Sequence, residues 1–213
     1  MNIVQYRLPE DQYYPVKTTK KQIVLHHTAG GPTAESSINW WKSSKERVAT
    51  AFVIDRKGVI YQTMDDQHWA HHLGTKLANN VQVNKQSIGI ELCCFGSLKH
   101  VNGQYITAYN TIISSTEVVT YDKPFRGTRY FQKYTSAQLQ SLRELLQMLL
   151  TKHNIHFKYN AAMWDLCTEA MKGQQGIYTH VSYRTDKSDC HPQTALIALL
   201  KELSAQQKKS IVQ

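Results

Sequence analysis

Apolar runs and helical stripes alternate along this chain in an order that predicts a mixed sheet flanked by helices. Lys21 to His27 is rich in Ile, Val and Leu with little alternation, which suits a strand buried on both faces. Gly30-Gly31-Pro32 breaks that strand, and Thr33 or a residue just after it can cap a helix carrying Ile38, Trp40 and Trp41 to about Arg47. Ala49 to Asp55 and Val59 to Thr63, joined at Arg56-Lys57-Gly58, read as a β-hairpin. Ser87 to Cys94 is a short apolar strand in which Gly89 allows close approach of a neighbouring backbone. Thr135-Ser136-Ala137-Gln138 has the form of a capping box. Leu139, Leu142, Leu145, Leu146, Leu149 and Leu150 then line one face of a long helix ending near His153-Asn154. A shorter helix from Ala161 to Met171 stops at Gly173, a strand runs from about Gly176 to His180, and a last helix opens after Pro192.

Residues 96–133 interrupt this regular order. Gly103 marks one turn, Pro124 and Gly127 another, and Tyr105, Tyr109, Tyr121, Tyr130 and Phe131 supply aromatic rings. The segment reads as an insertion, in the form of a hairpin beside the cleft, with aromatic packing preferred over glycan lining as the role of its rings. The fold class expected is α/β: one domain with a mixed β-sheet flanked by helices. It divides into an extension over 1–20, a main domain over 21–204, and a polar tail over 205–213 that is expected to fray.

With 213 residues and 41% hydrophobic positions, the chain can bury one sizeable core. No apolar run approaches the roughly 18–20 residues of a membrane span. Met1 to Gln22 has no apolar stretch of the signal-peptide kind, so synthesis in the cytoplasm without a Sec signal is expected. The four cysteines stand at 93, 94, 167 and 190 with no CxxC pair, which predicts buried free thiols, Cys190 being the one candidate for a further role. The net charge of +9 calls for an acidic partner or a generally basic surface. The basic residues are scattered and no nucleic-acid motif accompanies them, so no specific nucleic-acid partner is expected.

The candidate chemistry lies in three separated stretches. These are Ile23 to Gly30 with His26 and His27, Ser87 to Glu91, and Thr179-His180 through Lys187-Ser188-Asp189-Cys190-His191-Pro192. Two histidines with one carboxylate or thiolate make the three-ligand set of a catalytic zinc, which keeps one position open. A glutamate within reach would serve as its acid/base partner. Any one of these residues alone is more simply a hydrogen-bonded strand histidine or a solvated carboxylate; the set carries the reading.

Those stretches, with Ala49 to Gln62, His71-His72-Leu73-Gly74 and Asn84 to Glu91, resemble in order the zinc-dependent N-acetylmuramoyl-L-alanine amidases, over roughly residues 20–204. That group includes phage lysozyme-type amidases, cell-wall recycling amidases and peptidoglycan recognition proteins. The resemblance implies Zn²⁺ held by His26, His180 and a third ligand, with His27 left to a supporting role. For that third ligand the spacing Lys187-Ser188-Asp189 favours Asp189, while the ten-residue step from His180 favours Cys190, and His191 is the least favoured. Asp189 is preferred. It further implies Glu91 as proton carrier, Lys187 as oxyanion stabiliser, and His72 and Thr50 as substrate-binding residues; relatives place a tyrosine near Thr50, which this chain lacks. Trp69 beside His72 is expected to pack.

The implied reaction is hydrolysis of the amide between N-acetylmuramic acid and L-alanine of peptidoglycan or muropeptides, by a monomer. The anionic cell wall matches the basic charge. An endolysin released through a holin, a cytoplasmic recycling amidase and a non-catalytic peptidoglycan-binding module are the three forms such a chain could take.

Overall fold

Two sheets carry the architecture in a computed structural model that describes residues 2–211, with side chains through residue 208. In chain order the elements are β1 (Ile3–Gln5), β2 (Gln22–His27), α1 (Ala34–Ser43), β3 (Phe52–Ile54), β4 (Ile60–Gln62), α2 (Asn80–Lys85) and β5 (Ser87–Leu92). There follow β6 (Ser97–Val101), β7 (Gln104–Ile106), β8 (Ile112–Ile113), β9 (Val118–Phe125), β10 (Thr128–Gln132), α3 (Ser136–Lys152), α4 (Thr168–Met171), β11 (Gly176–Thr179) and α5 (Thr194–Ile211). The main sheet has the order β1-β4-β3-β5-β2-β11, and only the β3–β4 hairpin in it is antiparallel.

Strand β2 lies inside the sheet, between β5 and β11, and is wholly buried, as its unbroken apolar run predicts. Its one early polar residue is satisfied: Gln22 donates to Ala170 O at 3.0 Å and Gln174 O at 2.9 Å, and Tyr183 Oη donates back to its side-chain oxygen at 3.0 Å. Neighbouring β5 and β11 run parallel to β2, with His26 opposite Glu91 and Leu25 opposite Thr179. Three adjacent strands therefore end at one level. Crevices at the carboxyl ends of parallel strands are where ligands bind in open α/β sheets.

Helix α3 begins with the capping box expected of Thr135 and Gln138. Its leucine stripe is buried, and Gln138 donates from the first turn to Ile54 O and Cys93 O, tying the helix to the ends of β3 and β5. Helix α5 packs against α3 and stays helical through Ile211, where a frayed tail was expected. Gln207 explains the difference: it accepts from Phe157 N at 2.7 Å and donates to Ile155 O at 3.0 Å, so the polar end has partners to hold. Val212 and Gln213 lie outside the described residues.

Three other local expectations change. Helix α1 stops at Ser43, short of Arg47, whose φ is +51°. The helix expected over 161–171 splits into a 3₁₀ turn at Ala161–Trp164 and the short α4. The insertion is larger than a hairpin: β6 to β10 form a five-stranded antiparallel sheet, order β8-β7-β6-β10-β9, with its own small core of Leu98, Ile113 and Val118. Pro124 is accommodated because β9 is an edge strand. The N-terminal extension is also structural, since β1 pairs with β4 and the Tyr14 ring stacks on Trp69 at 3.9 Å.

A buried acid behind the sheet yields a pH prediction. Burial alone would push Asp66 up, but the His153 ring 3.4 Å away and the hydrogen bonds from Lys152 (2.8 Å) outweigh it and hold the carboxyl at about 2, below its ordinary 3.8. A depressed folded pKa contributes stability above the unfolded value that disappears as pH falls toward the folded one. The shift corresponds to about 2 kcal/mol. Stability measured by denaturant titration is expected to fall between pH 4 and 2 in the wild type, and Asp66→Asn should flatten that limb while lowering stability at pH 7.

Candidate metal centre and cleft

The shared register of the parallel strands sets the site. His26 and Glu91 are lateral partners on β2 and β5, so their side chains leave the same face of the sheet. His180 directly follows β11, in a 3₁₀ turn at His180–Ser182 that Thr179 and Ser182 cap reciprocally. Asp189 arrives from the following loop, whose path is held by Val181 N donating to Asp189 O at 3.1 Å.

His26 Nδ1, His180 Nδ1 and Asp189 Oδ2 converge. The separations are 3.2 Å between the two nitrogens, 3.2 Å from His26 to Asp189 and 2.8 Å from His180 to Asp189. The protons of both rings can be placed from their other contacts. His180 Nε2 lies 2.8 Å from Leu73 O, and a carbonyl only accepts, so this nitrogen carries the hydrogen. Ser87 Oγ donates to Val83 O at 2.8 Å and accepts from His72 Nε2 at 2.8 Å. Neutral His72 then offers a bare Nδ1, which accepts from His26 Nε2 at 3.0 Å. Burial lowers the pKa of His26 to about 4, so at neutral pH it is uncharged with a bare Nδ1.

The bare Nδ1 of His26 thus faces His180 Nδ1 and the Asp189 carboxylate oxygen. Three donor atoms placed this way could hold a metal ion. The orienting partners, Leu73 O for His180 and the His72–Ser87 chain for His26, are of the kind that fixes metal-binding imidazoles.

Glu91 completes the constellation. Its Oε2 is buried and has no hydrogen-bond partner in the protein. Burial and the neighbouring Asp189 carboxylate push its pKa well above the ordinary value, with Lys187 opposing. Glu91, Lys187, Arg184 and the converging His26, His180 and Asp189 line one cleft of about 850 Å³, with Trp40 (58% exposed) and Tyr109 (66% exposed) also on its walls.

Two residues expected against substrate are otherwise engaged. Both ring nitrogens of His72 are taken, by His26 and Ser87, so its polar atoms orient the His26 ring. Thr50 lines the cleft but is 2% exposed, and its hydroxyl donates to Phe52 O at 3.0 Å, leaving a lone pair and a methyl group for other contacts. Gly89 proves to make room for side chains: a Cβ there would come within 2.7 Å of Thr50 Cγ2 and 3.2 Å of His72 Nδ1. His27, as expected, supports from behind, 3.1 Å from Tyr134 Oη.

Asp189 and Cys190 separate cleanly. Cys190 is fully buried, its Sγ lies 3.5 Å from His26 O, and burial pushes its thiol pKa well up. It is outside the converging set. All four cysteines are free and buried. Cys190→Ser is expected to keep stoichiometric metal and most activity, and X-ray absorption of the zinc-loaded protein should show only nitrogen and oxygen neighbours. A sulfur at about 2.3 Å would overturn the choice of Asp189.

Sequence reading alone missed Ser87 as the end of the histidine chain. It missed Asn84 too, whose side-chain oxygen accepts from His72 N at 2.8 Å and Leu73 N at 3.2 Å and so sets the His72–Leu73 turn. Both sit in the quoted motif, but their role depends on the loop that folds over them.

Comparison with known proteins bears on the fold and the family. The structure of PlyL is similar at a TM-score of 0.56 and 17% identity, covering 94% of this chain and 98% of that one. A mutant endolysin from Bacillus subtilis gives 0.56 and 17%, covering 95% and 98%. The N-acetylmuramoyl-L-alanine amidase LysC from Clostridium intestinale URNW gives 0.53 and 15%, covering 95% and 97%. At these identities the likeness establishes the fold. No curated protein sequence matches the chain. The sequence profile described as N-acetylmuramoyl-L-alanine amidase matches residues 16–192, most of the length, and the chain belongs to that amidase family.

Proposed function

We propose that the chain is a zinc-dependent N-acetylmuramoyl-L-alanine amidase acting on the peptidoglycan of a cell wall, in the manner of an endolysin. The observation that carries this reading is the convergence of two imidazole nitrogens and the Asp189 carboxylate beside the unpartnered Glu91 Oε2. His26, His180 and Asp189 would hold the zinc. When bound, the ion supplies Lewis acidity toward the attacking water and the scissile carbonyl.

The protein's own groups do the rest. Glu91 takes a proton from the attacking water and passes it to the departing amine of L-alanine, a role that suits a buried carboxyl whose affinity for a proton is raised by burial and by Asp189. Lys187, on the same cleft wall, faces the negative charge that develops on the carbonyl oxygen. Trp40 and Tyr109 offer exposed aromatic faces to sugar rings, which supports a glycan strand as substrate. No helix among the described residues is long and apolar enough to cross a membrane.

A non-catalytic binding module would have no use for an unpartnered glutamate next to an open cation site. The test is digestion of purified sacculi and of soluble muropeptides, with and without chelator, followed by mass spectrometry. New L-alanine amino termini that vanish on chelation are expected, with sacculi cut at least as well as fragments. Binding without cleavage would overturn the reading.

A further inference from the structure

Apart from Tyr109 on the cleft wall, the inserted sheet has no role in the site described above, yet it grips the loop that carries Asp189. His191, two residues beyond Asp189, is fully buried. Its ring lies between Phe131 on β10 (centroids 4.8 Å apart, 26° between planes) and Tyr134 (4.4 Å, 23°). Its Nε2 lies 3.0 Å from Gln132 O, again on β10, so that nitrogen is the donor. The other nitrogen, Nδ1, is then a lone pair, and Tyr121 Oη on β9 donates to it at 2.7 Å. His191 N donates in turn to Tyr134 Oη at 3.0 Å. Every hydrogen-bonding group of this imidazole is thus specified, one by each of two adjacent strands of the insertion.

The same sheet reaches the other end of the loop. Arg126, in the turn between β9 and β10, donates to Asp165 at 2.7 Å and approaches Val181 O and Thr185 O at 3.4 Å. Val181 is the residue whose N–H holds Asp189 O. Asp189 is therefore suspended between two points, His191 and Val181, and both are fastened to β9–β10. A carboxylate on a loop loses metal affinity when its conformers multiply, because ordering it again costs free energy at each binding event.

We propose that the β6–β10 insertion is a positioning element for the third metal ligand, with Tyr121 and Arg126 as the positioning residues that hold Asp189 through His191 and Val181. This rests on the reading of His26, His180 and Asp189 as a zinc site.

Zinc affinity of the folded protein, measured by chelator competition, tests it. Tyr121→Phe removes one hydroxyl and keeps the ring packed, so folding is expected to survive. Zinc binding should weaken on the order of tenfold, within the range seen when orienting partners of metal ligands are removed. Arg126→Met should weaken it likewise. Tyr105→Phe, the same deletion elsewhere in the inserted sheet, should not. The visible spectrum of the Co²⁺-loaded protein should change in Tyr121→Phe and stay unchanged in Tyr105→Phe. A purely structural role would lower the unfolding midpoint of the metal-free protein and leave affinity and spectrum alone; that result, or wild-type affinity in both Tyr121→Phe and Arg126→Met, overturns the proposal. Failure of the wild type itself to bind one equivalent of zinc would overturn the metal reading and this inference with it.

Discussion

His26→Ala, His180→Ala and Asp189→Ala are each expected to lose stoichiometric zinc and, with it, hydrolysis of peptidoglycan down to background. The reason is geometric. The three donor atoms lie within 4.8 Å of one another, and each variant leaves only two, too few to retain zinc against a competing chelator. His72→Ala provides the scale. It removes the orienting partner of His26 without touching the trio, so its affinity loss should fall in the roughly 10–100-fold range of outer partners and its activity should return with added zinc. Metal analysis after gel filtration, set beside activity over a zinc series, separates the two classes. Full activity of His26→Ala or His180→Ala at ordinary metal levels would refute the ligand assignment.

Glu91→Gln should behave differently: zinc retained, rate reduced on the order of 100-fold or more, the range of a lost general acid/base. The amide preserves the shape and the hydrogen-bonding reach of the side chain. It cannot take a proton from water in the way a carboxylate can, so turnover should fall with little change in substrate binding. Loss of metal together with activity would place Glu91 among the ligands or make it a support of the fold. A rate close to wild type would assign the proton transfer elsewhere.

Much of this site was legible as sequence because its parts are local. An apolar run ending in His26, an apolar run ending in Glu91 and a strand ending at His180 are each periodicity statements, and parallel pairing of three such strands aligns their ends. The α3 capping box and leucine stripe are likewise set by residues three and four apart, and the structure reproduces them. The family resemblance rested on the same short motifs, and the profile match bears it out.

What the tertiary structure decided were matters of side-chain direction and long-range contact. Asp189 and Cys190 are chemically plausible neighbours, and only the path of the loop, pinned at Val181 and His191, turns the carboxylate to the histidines and the thiol into the core. His72 was read as a substrate residue from the family resemblance. That both of its ring nitrogens are taken, by Ser87 and His26, 15 and 46 residues away, is visible only in the folded chain. The insertion shows the same limit. Its turns could be read from Gly103, Pro124 and Gly127, but strand pairing over such distances depends on which faces find burial. Local pattern determines where a strand ends; which of two adjacent side chains meets a partner 150 residues away is settled only when the whole sheet closes around them.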